Sequence, residues 1–198
     1  MSCPRPATIG RAHPRSWGMP TTSTLLRRYA ERFDARTLGE HGVASPLGLW
    51  LLLALLAPAT TGAARERLEA ELGTTADDAA ARAAALLAVA HPAVHAAVAV
   101  WDLPVFLGPA FAAWATGLPA TVERGDVPSQ AEADAWADAH TGGLVRRFPV
   151  EITPLTATVL ASALATDVSW QDPFAPAPAA DLGGPFGAAI AVALRAPR

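Results

Sequence analysis

His91 and His95 stand four residues apart, a spacing at which two imidazoles can share a metal ion. Pro92 lies between them, and Asp102 is the one carboxylate nearby that could complete such a site. The pair reads better as polar positions at a strand end. Ser162, His140 and Asp167 supply the three residue types of a nucleophilic triad. Ser162, however, sits inside the run TATVLASALATDV, without the Gly-x-Ser-x-Gly turn that lifts a nucleophile clear of its strand. Arg146 and Arg147, with Arg124, form a small basic group that a solvated turn accounts for more simply. Gly183 and Gly184 follow no strand, so they do not make a phosphate-cradling loop. These residues predict no catalytic group, no metal and no cofactor; the chain does not read as an enzyme.

Composition narrows the classes further. The chain has 198 residues, enough for one ordinary domain or a piece of a larger one. Its net charge is -3, with mixed signs and no basic block, which disfavours nucleic acid as a partner. All fifteen basic residues are Arg, and Asn is absent, the mark of a G+C-rich, bacterial-type genome. Ala supplies nearly half of the hydrophobic residues, so the core is expected to come from Leu, Val, Phe and the six Trp. One cysteine, Cys3, rules out an intrachain disulfide and fits a reducing compartment. The longest apolar run, LGLWLLLALLA over 47–57, is too short to span a bilayer and predicts no membrane partner. Acidic residues ahead of that run, Glu31, Asp34 and Glu40, do not suit a secretory signal.

The elements that would position these residues follow from period and punctuation. Residues 1–22 show no apolar period and read as a disordered leader; the body runs over 23–175, and 176–198 reads as an irregular tail. Leu25, Tyr29 and Phe33 fall at i, i+4, i+8 of a helix from Thr24. Ser45 is a good N-cap with Pro46 at the first helical position. The helix they open is apolar all round and should be buried all round. A third helix covers Ala63 to Leu72 and stops at Gly73; a fourth begins near Thr75, with Asp77 and Asp78 suiting its N-terminus. HPAVHAAVAVW over 91–101 alternates and predicts a strand. A short helix over 109–116 and a short strand over 119–126 follow. Ser129 and Glu132 make a capping box for a helix carrying Ala133, Trp136, Ala137 and His140 on one stripe, stopped by Thr141, Gly142 and Gly143. VLASALAT from 159 is uncharged and does not alternate, which predicts a strand covered on both faces in the middle of a sheet. APAPAADLGGPF reads as loop, and GAAIAVALR over 187–195 as a weak strand or helix.

Four stretches, in order and at matching spacing, resemble the amino-terminal half of the serpin family over about residues 24–174. SPLGLWLLLALLA resembles the family's buried helix B, and RERLEAELG (65–73) the end of its next helix. ADAWADAHTGGLV (133–145) resembles helix F and its turn, with Trp136, Thr141 and Gly143 at matching places. TATVLASALATDVSWQDPF (156–174) resembles the third strand of the central sheet, with Trp170 and Phe174 at matching places.

The resemblance implies an α+β fold in which an amino-terminal helical bundle packs on part of the central sheet. It implies a serine or cysteine protease as partner, bound through a reactive-centre loop that inserts into the sheet, and an extracellular setting. It also implies structural roles: Ser45, Pro46, Gly48 and Ser162 line the family's shutter, Trp136 packs helix F on the sheet, and Trp170 closes the sheet's top. Gly48 stands where the family usually has Ser, Ser162 and Asp134 where it usually has Asn, and Val168 where it usually has Gly. A shutter short of hydrogen-bonding groups is therefore expected to be weaker or apolar, each lost bond being worth about 1 kcal/mol. No segment after Phe174 resembles the reactive-centre loop, so this chain by itself is expected not to inhibit. A sheet built in part exposes edges, which predicts self-association or capture of a complementary fragment.

Overall fold

The computed structural model describes residues 20–37, 45–89, 91, 93–103, 108–167, 171–182 and 191–195. The expected leader lies outside these up to residue 19, as do Val168 and Trp170. Among the described residues there are six α-helices: α1 (Thr22–Thr37), α2 (Pro46–Leu56), α3 (Gly62–Leu72), α4 (Ala76–Leu87), α5 (Pro109–Thr116) and α6 (Gln130–His140). The strands are β1 (Val94–Asp102), β2 (Val122–Asp126), β3 (Thr158–Thr166), β4 (Ala175–Pro178) and β5 (Val192–Arg195). Helices pack against a partial sheet, giving the α+β architecture expected.

The main sheet has the order β2-β1-β3. β2 lies parallel to β1 and pairs only from Val98 onward, whereas β3 lies antiparallel along all of β1, from Val94↔Thr166 to Asp102↔Thr158. β1 is thus the middle strand. The expectation of a middle position for the 159–166 run is corrected: among the described residues β3 has a neighbour on one side only. Its uninterrupted apolar pattern reflects cover on two faces, not neighbours on two edges.

Those faces belong to two cores. On one side Trp50, Leu51 and Leu55 of α2 pack with Leu72, Val98, Val100 and Val122, and Leu160 of β3 lies against them. On the other, Ala133 and Ala137 of α6 pack with Ala99, Trp101, Phe148, Val159 and Ala161. Successive strand residues point to opposite faces, so each core takes alternate residues of β1 and β3. Each fully buried Leu or Val contributes roughly 1.5–3 kcal/mol.

Alanine does more here than its buried area suggests. Ala54 of α2 and Ala76, Ala79 and Ala83 of α4 are fully buried, letting the two helix backbones approach closely. Expecting the core from large residues alone misses this geometric use of a small side chain. α2 also departs from expectation, since it is not covered all round: Leu47 and Leu49 are exposed.

The caps form as the sequence predicts. The Ser45 hydroxyl accepts the Gly48 N–H at 3.1 Å, with Pro46 opening α2. Gly73 ends α3 at φ 76, donating its N–H to the Glu69 carbonyl. After Phe174 the chain is not all irregular: β4 and β5 form a two-stranded antiparallel sheet, Ala175↔Arg195 to Pro178↔Val192. β4 contains two prolines, which obscured it as loop; a two-stranded edge tolerates them because half of each strand's N–H groups face away from the ladder.

Candidate functional site

The candidate site is the open edge of β3 with its covers, α2 on one face and α6 on the other. The backbone of β3 turns alternate residues toward β1. Asp167 donates its N–H to the Ala93 carbonyl at 3.0 Å, and Leu103 donates to the Ala157 carbonyl at 2.9 Å. Val159, Ala161, Ala163 and Ala165 therefore bond to β1. Thr158, Leu160, Ser162, Leu164 and Thr166 turn their N–H and C=O groups to the open edge.

On the α2 face Ser45, Gly48 and Ser162 come together, with Pro46 in the first turn of α2. Ser45 is spent on the helix cap. Gly48 lies directly over β3: a Cβ built on it would stand 2.7 Å from Ser162 Oγ, 3.3 Å from Ser45 Oγ and 3.5 Å from Leu164 Cδ1. The missing hydroxyl at position 48 and the small side chain at 162 are thus one packing arrangement, in which a bare helix backbone rests on a serine. Gly48→Ala gains up to about 1 kcal/mol of helix propensity but overpacks this contact, and a net loss of about 1–2 kcal/mol is expected. Denaturation of Gly48→Ala, Ser162→Ala and the double variant measures it. The double variant should recover about 1 kcal/mol relative to additivity; additive effects would refute the contact.

On the α6 face, two groups not marked in the sequence, Glu123 and Gln130, join the expected ones. Glu123 of β2 accepts from Trp136 Nε1 at 3.0 Å and pairs with His140 Nε2 at 2.8 Å, so one carboxylate ties two turns of α6 to the sheet. The Trp136 ring packs edge-on against Trp101 at 5.2 Å and lies 4.8 Å from the His140 ring. At the start of α6, the Ser129–Glu132 capping box is complete, and its hydrogen bonds from the Ser129 backbone and hydroxyl hold the Glu132 carboxyl below the usual range. Asp134 Oδ1 accepts from Gln130 Nε2 and from the Phe148 N–H, both at 2.9 Å, which lowers its pKa. Gln130 Oε1 accepts the Ile152 N–H at 2.8 Å. The segment leading to β3 is therefore stitched to α6, and Asp134 does by acceptance what an amide oxygen would do there.

Thr141 is buried; its hydroxyl donates to the Ala137 carbonyl at 2.7 Å and accepts the Val145 N–H at 2.8 Å. Gly142 and Gly143 take φ 61 and 82, the left-handed region that ends the helix. Phe174, just before β4, is 39% exposed. Trp170 falls outside the described residues.

The imagined triad does not assemble. Ser162 faces α2, while His140 sits across the sheet, paired with Glu123. His91 and His95 are exposed, and His91 Nδ1 accepts the Ala93 N–H. Among the described residues no group of three or more His, Cys, Asp or Glu could hold a metal ion. No helix among them is long and apolar enough to cross a membrane. Arg124 donates to the Ala115 carbonyl, away from the exposed Arg146 and Arg147.

No family model matches the sequence, and no curated protein matches it. Solved structures do match. A loop C-sheet serpin polymer aligns with a TM-score of 0.64 at 16% identity, over 83% of this chain and 48% of that one. The thermophilic serpin Tengpin in its latent state aligns with a TM-score of 0.61 at 15% identity, over 80% and 47%. AtSerpin1 of Arabidopsis, in a native stressed conformation, aligns with a TM-score of 0.54 at 19% identity, over 76% and 43%. These likenesses show a serpin-like fold, and this chain spans less than half the length of these three structures. They carry nothing on the bacterial-type genome that composition suggested.

Proposed function

We propose that this chain is the strand-accepting part of a serpin-like module, acting by taking an extended segment onto the open edge of β3. The observation that carries the reading is that edge itself: nine residues, Thr158–Thr166, without a charged side chain, lying between α2 and α6 and unpaired along one side among the described residues. By resemblance, the whole fold inhibits serine or cysteine proteases through a loop that enters its sheet. None of these 198 residues resembles that loop, so the chain alone supplies the acceptor and not the bait.

Two measurements test this. Incubated with trypsin-, chymotrypsin- and elastase-like proteases, the 198-residue chain should give no SDS-stable covalent complex; such a complex with any of them overturns the assignment as acceptor only. In the monomeric chain the amides of Leu160, Ser162 and Leu164 should exchange fast, because they face outward, while those of Ala161 and Ala163 are protected by β1. Slow exchange of the first set in a monomer means the edge is already filled, and the reading fails.

A further inference from the structure

We infer that the segment taken up by the β3 edge is β3 of a second copy, running antiparallel about a two-fold axis at Ser162. This rests on the reading that the edge accepts a strand, and names the strand. The sequence of β3, TVLASALAT, nearly reads the same in both directions from its centre. Thr158 mirrors Thr166, Leu160 mirrors Leu164 and Ala161 mirrors Ala163, with Ser162 on the axis; only Val159 and Ala165 differ.

Backbone direction selects the same axis independently. The residues whose N–H and C=O groups face the open edge are Thr158, Leu160, Ser162, Leu164 and Thr166. With the two-fold at Ser162, each of these lies opposite another of the same set: Ser162 with Ser162, Leu160 with Leu164, Thr158 with Thr166. Every such pairing then exchanges two reciprocal N–H···O=C bonds. A slip of one residue would set outward-facing groups against inward-facing ones and move every side chain to the other face. A slip of two would break the Leu–Leu and Thr–Thr matches.

Side chains fit the same register. On the α2 face, leucine meets leucine and threonine meets threonine across the axis, pairings that stabilise a ladder. On the α6 face only Ala and Val meet. A strand edge in a monomer is ordinarily guarded by a charge, a proline or a bulge; β3 has no charged residue and no proline, and its register with β1 runs without interruption. The product is an isologous dimer with one continuous sheet of order β2-β1-β3-β3-β1-β2.

Engineered cysteines in a Cys3→Ser background read the register directly. Thr158→Cys chains mixed with Thr166→Cys chains and oxidised should cross-link, because an opposed hydrogen-bonded pair stands about 5.5 Å apart at Cα, within disulfide reach. Either variant alone should not, since its two cysteines would lie roughly 27 Å apart across eight residues of strand. Light scattering should give twice the chain mass for the natural sequence. Thr166→Pro removes an outward N–H while leaving the β1 ladder, and should give a monomer with unchanged circular dichroism. A monomer at every concentration overturns the inference, as does a dimer in which the mixed cysteines fail to link. If that monomer shows fast exchange at Leu160, Ser162 and Leu164, strand acceptance stands and only the identity of the strand falls; slow exchange removes both.

Discussion

Trp50→Ala is expected to lower the unfolding free energy by about 3–5 kcal/mol, while Trp50→Phe should stay within about 1 kcal/mol of the natural chain. Trp50 is fully buried in α2 among Leu51, Leu55 and the strand valines, so truncation to Ala leaves a large void. Its indole N–H is buried too, and it has no hydrogen-bond partner among the described residues. A donor removed from water without an acceptor destabilises the fold by about 1–3 kcal/mol. Phenylalanine keeps most of the ring volume and deletes that donor, so the two changes oppose one another. Urea denaturation of both variants checks the pair. A loss for Phe as large as that for Ala would mean that the indole N–H makes a stabilising bond, and would refute the orphaned donor.

Trp101→Ala should cost a similar amount, about 3–5 kcal/mol, with a different spatial signature. Trp101 lies on the middle strand and meets Trp136 of α6 at 5.2 Å and 82°, and Phe148 at 5.9 Å. Such aromatic pairs add about 0.5–1.5 kcal/mol beyond their buried area. Loss of the ring should loosen α6 while leaving α2 in place. Near-ultraviolet circular dichroism should collapse, and amide exchange should rise in Gln130–His140 more than in Pro46–Leu56. Uniform loosening of both helices would contradict the separation of the two cores.

Much of this architecture was legible because short-range chemistry marks it. Ser45 with Pro46, Ser129 with Glu132, Gly73 and Pro109 each announce a helix end through groups a few residues apart, and the helices begin and stop there. The alternation of Val94–Trp101 announced β1. Glu123 was not legible: its partners Trp136 and His140 lie on another element, and a lone glutamate in a short strand carries no mark of what it will meet. Asp134 could be noticed only as a substitution, since its acceptor role depends on where Phe148 arrives. The place of β3 within the sheet was misjudged for a physical reason. Side-chain pattern reports what lies above and below a strand, whereas its lateral neighbours bond through the backbone, which every residue shares. The same argument explains why the near-mirror order of Thr158–Thr166 is informative: it concerns how a strand would match a copy of itself, a property that face burial does not determine.

The unequal ladders of β1 bear on how the fold comes apart. β3 grips it over the whole of Val94–Asp102, and β2 only from Val98. β2, with the shorter ladder, is therefore expected to peel away first and to take Glu123 with it. The last two turns of α6 would then lose the one carboxylate that tethers them, so helix and strand should fray as a coupled pair. The β1–β3 pair, bonded along its whole length, should outlast them and keep the acceptor edge in shape after the opposite margin has melted.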